Sequence, residues 1–191
     1  FGDPRMDALD VASQILAGGK GSRLHKRLVR QERIAQDVAL FTLGFVGGAS
    51  ITAGWATVRP GVGIERVERA FHEELERLAT DPVSDDELAR ARALIEADEL
   101  GALSRVEERA DRLSMYATLF DEPERINRTL ARYLSVSAMD IQEAAAATLR
   151  PDNRVVLTYV PEQSPVDSIA LVEPAETEVE AAEAEDEQVA A

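Results

Sequence analysis

Leu9, Ala12, Ile15 and Leu16 recur at spacings of three and four, then the pattern stops at Gly18-Gly19. That spacing places them on one face of a helix. Asp3 stands as its N-cap and Pro4 at its first position. A second, shorter helix is predicted over residues 22–31, with Leu24 and Leu28 inward and Arg23, Lys26, Arg27 and Arg30 along its flanks. Residues 37–45 (DVALFTLGF) are apolar on both faces, the pattern of a covered strand. Gly47-Gly48 supplies the positive φ angles of a hairpin turn. Residues 50–58 then alternate, with Ile51, Ala53 and Trp55 on one side and Ser50, Thr52 and Gly54 on the other.

Beyond Arg59-Pro60-Gly61 the period lengthens again. Ile64, Val67, Phe71, Leu75 and Leu78 form the stripe of an amphipathic helix that ends near Thr80. Ser84 and Glu87 form a capping box, in which each side chain satisfies the other residue's amide. The long helix behind it runs through Leu88, Ala91 and Ile95 to Leu113 and Ala117, with Gly101 as its weak point. Residues 124–134 are another helix, Ser137 caps a last one reaching Leu149, and residues 154–160 (RVVLTYV) read as a final strand. The order predicts an α+β fold with helices on one face of a mostly antiparallel sheet. Three strands are thin for so many helices, which predicts a partner strand upstream and an N-terminally truncated unit.

The net charge of −15 changes the picture only at one end. Residues 161–191 hold ten Asp or Glu and no Lys or Arg, so the rest of the chain carries −5. The predicted domain is therefore 1–160, and 161–191 is an acidic Glu/Ala-rich tail or linker with no stripe to bury, expected to be disordered. No basic field exists to hold a phosphate backbone, which argues against nucleic-acid binding. No apolar run approaches the length of a membrane span. With no cysteine, disulfides, thiolate zinc sites and cysteine nucleophiles are excluded.

Candidate chemistry is sparse. A zincin helix needs two histidines on one face with a carboxylate beside them. His25 and His72 lie on different predicted helices, and Phe71-His72-Glu73-Glu74-Leu75 has no second histidine at 69, 75 or 76. The expectation is that this chain holds neither metal nor cofactor. Ala17-Gly18-Gly19-Lys20-Gly21-Ser22 fails as a phosphate loop, because Lys20 is not followed by Ser or Thr and the turn follows a helix. Neither histidine is placed to argue for a serine triad, and the paired glutamates 73/74 and 107/108 fall on solvated helix faces.

The Gly-broken turn, Ser22-Arg23-Leu24, Leu28-Val29-Arg30 and the strand after them resemble the non-zinc half of a unit in the pitrilysin/insulinase family of zinc metallopeptidases. The resemblance continues in order through residues 58–61 (VRPG), 67–78, the helix start at 83–88 (VSDDEL), the Ser137 helix and residues 151–154 (PDNR). It implies a LuxS/insulinase-like metallopeptidase domain that faces a preceding zinc-binding domain and closes a chamber around a peptide substrate. Zinc is then expected on that companion, which would polarise the scissile carbonyl and activate water.

In active members of the family an arginine followed shortly by a tyrosine contacts substrate near the metal. Arg30 falls on the arginine position, whereas the tyrosine position is Gln36. An amide still donates a hydrogen bond but lacks the phenol. The plain alternative for Arg30 is a cation that complements a helix C-terminus. The implied function is the non-zinc domain of a metalloendopeptidase, inactive alone. The alternative is a catalytically inert homologue that serves as a structural or partner-binding subunit, and an unrelated α+β interaction module is the third reading. A periplasmic or secreted location is implied by the resemblance only.

Overall fold

The computed structural model describes residues 3–161. Helix α1 (Pro4–Ala17) starts where the sequence places it: Asp3 accepts the Arg5 amide at 2.9 Å, and Gly19 (φ 66) makes the turn beyond it. Val11, Ile15 and Leu16 on α1 are fully buried, and the helix touches β1 and four other helices. It is the centre of the core.

The sheet among the described residues is a single antiparallel hairpin of β1 (Ala35–Leu43) and β2 (Ile51–Val58). Leu43 pairs with Ile51, and Gly47 (φ 73) sits within the connecting loop. Gly48 takes no positive φ, so the turn is not the tight two-glycine hairpin that the sequence predicts. Val38, Leu40, Ala56 and Val58 pack against the core. Gly54 is required there, because a Cβ would stand 2.7 Å from the backbone carbonyl oxygen of Ala39.

Nothing among the described residues covers the opposite face. Phe41, Leu43, Ile51 and Trp55 are 38–53% exposed, so β1 is covered on one side and not on both. Periodicity could not show this, since an apolar strand looks the same whether or not a second layer reaches it.

Helix α2 (Ile64–Thr80) buries Val67, Leu75 and Leu78. Helix α3 (Asp85–Ser104) begins with the complete Ser84/Glu87 capping box. The predicted long helix breaks at Arg105 (ψ 124), where α4 (Val106–Phe120) begins. Gly101 stays helical, and its carbonyl accepts the Ser104 hydroxyl at 2.7 Å, one turn before the break. A 3₁₀ turn leads into α5 (Ile126–Ser135), and Ser137 with Asp140 forms a second capping box on α6 (Ala138–Thr148).

The arrangement is α+β, with helices against one face of the antiparallel hairpin. No helix among the described residues is long and apolar enough to cross a membrane. Contacts divide the chain after Val155. Residues 154–161 pair with no strand, so the predicted strand 154–160 is not formed among the described residues. An extended segment becomes a strand only when another backbone meets its amides and carbonyls. The acidic tail lies outside the described residues from Glu162 onward.

Candidate functional site

The predicted helix 22–31 is mostly a π-helix, His25–Gln31, in place of the expected α-helix. Its end is fixed by the Glu32 amide donating to the Arg27 carbonyl at 2.8 Å, a step of five residues, and by the Ile34 amide reaching the Leu28 carbonyl at 2.9 Å. Leu24 and Leu28 are wholly buried beneath it. Such helices are rare and concentrate at functional positions. Arg30 projects from the last turn into solvent, and no hydrogen bond or ion pair engages it among the described residues.

Two further departures follow at once. Arg33 adopts the left-handed conformation (φ 53), which favours glycine. At Gln36 the ladder slips: Ala35 pairs with Val58 and Asp37 with Thr57, leaving Gln36 as the extra residue of a β-bulge. A bulge turns its side chain away from the regular alternation. The Arg59 amide and Nε, each 3.0 Å from the carbonyls of Ile34 and Ala35 respectively, hold the strand end beside it. Gln36 is exposed, as is Asp37, whose carboxylate accepts the Trp55 indole N–H at 3.0 Å. Phe41 meets Trp55 edge-on at 5.8 Å between ring centres.

Arg30 and Gln36 therefore occur on one irregular passage from π-helix to bulged strand, next to an uncovered apolar sheet face. Their chemistry is that of hydrogen-bond donors: a guanidinium with five N–H groups and an amide that also accepts. The carboxamide cannot supply the acidic O–H of a phenol.

No group of three or more His, Asp or Glu able to hold a metal ion occurs among the described residues. His25 Nδ1 is buried without a partner on the π-helix, and His72 on α2 is half-buried, its pKa lowered by burial and by Arg154. The described residues do not fit a zinc site.

Sequence reasoning missed a polar cavity of about 390 Å³ bounded by α1, β1, α3, α4 and α5. Asp7, which is buried, takes a two-pronged ion pair from Arg132 at 2.7 and 3.0 Å. Tyr133 donates its hydroxyl to Asp10 at 2.9 Å. Burial pushes the Asp10 carboxyl up to about 6 despite that hydrogen bond, and nearby Asp7 adds to the shift. The Tyr133 phenol is pushed up by burial and then by Asp10. The only trace in the sequence is a pair of aspartates three apart on α1, matched by neighbours more than 120 residues away.

Comparison with known proteins agrees with the architecture. The sequence signature described as the Peptidase M16 inactive domain matches residues 1–95. The inactive peptidase domain of an assigned zinc protease from Bordetella parapertussis superposes with a TM-score of 0.75 at 27% identity, covering 86% of this chain and 88% of that one. A protein assigned as a zinc protease from Bordetella pertussis gives 0.73 at 28%, covering 84% and 87%. An uncharacterized zinc protease of Streptomyces coelicolor is 26% identical over 156 residues, which are 81% of this chain and 34% of the relative. The chain thus spans about a third of that relative's length. Residues 1–95 thus carry the signature of the inactive, non-zinc domain of the M16 (pitrilysin/insulinase) zinc peptidases, and the chain is similar in fold to such domains of zinc proteases.

Proposed function

We propose that this chain, with 1–160 as its folded domain, is the non-zinc domain of an insulinase-like metalloendopeptidase and lines part of the chamber that holds the peptide. The observation that carries this reading is Arg30, a cation with no internal partner among the described residues, at the end of a π-helix. A guanidinium kept for a structural purpose normally finds a carboxylate, as Arg23, Arg27 and Arg132 do here. Arg30 is left available for a carbonyl or carboxylate of the substrate, and Gln36 offers an amide six residues further along the chain. The zinc belongs to a companion domain, in the same polypeptide or a partner chain. Residues 161–191 would serve as an acidic linker or arm.

The test is cleavage of a fluorogenic peptide by the zinc domain with and without this chain. Chelator-sensitive cleavage that needs both supports the proposal, and Arg30→Ala should then lower turnover about tenfold or more, the scale of a lost charge-assisted hydrogen bond. Cleavage indifferent to this chain would overturn it.

Gln36 favours a second reading, an inert homologue that binds a partner, because the phenol of the family's tyrosine position is missing. That reading predicts a stable assembly of the two domains with no chelator-sensitive turnover.

A further inference from the structure

Arg27 and Glu32 are joined twice. The Glu32 amide donates to the Arg27 carbonyl at 2.8 Å, and Arg27 Nε donates to Glu32 Oε1 at 2.7 Å. The two contacts together enclose the turn that contains Arg30. A spacing of five is informative. In an α-helix the side chains that meet are three or four apart. In a π-helix, whose turn is wider because each backbone bond spans five residues, residues five apart come round to the same side of the helix. The ion pair is therefore matched to the π register and lost in the α register.

The rest of the Arg27 guanidinium is anchored to α2. Nη2 donates to Glu73 at 2.5 Å, and Nη1 donates to Glu74 at 3.1 Å and to the Ala70 carbonyl at 3.5 Å. Glu74 is buried and also accepts from Arg77 at 3.0 Å, while Arg66 approaches Glu32 at 3.6 Å. Arg27 thus fastens the turn to a fixed helix as well as closing it.

We propose that Arg27 and Glu32 are positioning residues, whose paired side chains hold the turn in π register and so set the direction in which Arg30 meets a peptide. This rests on the reading of Arg30 given above. Relaxation to an α-helical turn would shorten each hydrogen-bonded loop by one residue and swing Arg30 by tens of degrees about the helix axis.

The experiment is a double-mutant cycle in the full-length protein together with its zinc domain, read by kcat/KM on a fluorogenic peptide and by amide hydrogen exchange over residues 27–34. Glu32→Gln and Arg27→Lys each keep a polar side chain of similar length, and thermal melts identify any variant that has lost its fold. Each should lower kcat/KM about tenfold, speed exchange at the Glu32 and Ile34 amides, and add nothing in an Arg30→Ala background. If Arg30→Ala is impaired and Glu32→Gln matches the parent in both readouts, the clasp is refuted and the reading of Arg30 stands. Equal damage in the Arg30→Ala background also refutes it, since the pair would then act elsewhere. A fully active Arg30→Ala removes the reading itself, and the positioning role with it.

Discussion

Asp10→Asn should stabilise this domain at neutral pH. The carboxyl lies in the corner between α1 and α5, where burial raises its pKa from an ordinary 3.8 to about 6. The groups around it are Asp7 on its own helix, Arg132 and Tyr133 on α5, Asp98 and Glu99 on α3, and Tyr116 on α4. Above pH 6 the folded chain must hold a carboxylate where it prefers an acid. A shift of about two units is worth ~3 kcal/mol at most.

The cavity is open enough for water to reach part of the side chain, which lowers the expectation to about 1–2 kcal/mol. Asparagine removes the charge and keeps an oxygen for the Tyr133 hydroxyl. The sign follows from proton binding: between the two pKa values the folded state holds more protons than the unfolded one, so stability falls as pH rises through that window. The gain in Asp10→Asn should be full near pH 8, shrink as pH falls through 6, and vanish near 4. Urea unfolding followed by circular dichroism at several pH values measures it. A variant no more stable than the parent at pH 8, or a gain that persists at pH 4, would refute the reasoning.

Two further outcomes test the local chemistry. Arg33→Gly should raise stability by up to about 1 kcal/mol, because the left-handed backbone at φ 53 strains any residue with a Cβ; a lower melting temperature would count against that strain. Glu87→Gln should cost about 1–2 kcal/mol at pH 7, since Arg23, and then the Ser84 amide, holds the Glu87 carboxyl down to about 2 from 4.5. That stability is complete above the ordinary pKa and disappears as pH falls through 2, so parent and variant should converge in acid.

The elements that could be read from the sequence were those whose signal is local. Asp3-Pro4, the Ser84/Glu87 box and the Ser137 cap marked helix starts to the residue, because a cap is satisfied within one turn. The stripe on α2 was legible for the same reason. What could not be read depends on distant partners. The anchoring of the π turn depends on Arg27 finding Glu73 and Glu74 on another helix, and the polar cavity on Asp7 and Asp10 finding α5. Residues 154–160 have the composition of a strand, yet composition cannot supply the backbone it would pair with. Arg30 and Gln36 were located by resemblance alone; the bulge that displaces Gln36 and the missing partner of Arg30 had no mark in the sequence.

The π-helix also carries a consequence for how this domain is compared with its relatives. A turn closed over five residues contains one more residue than the same turn in an α-helix, so it behaves as a single inserted residue that leaves the flanking core unmoved. A relative whose turn is α-helical would line up with this chain only if one residue between Arg27 and Glu32 stood opposite a gap. The residue facing Arg30 in an ungapped pairing would then be one step along the chain from its true structural counterpart.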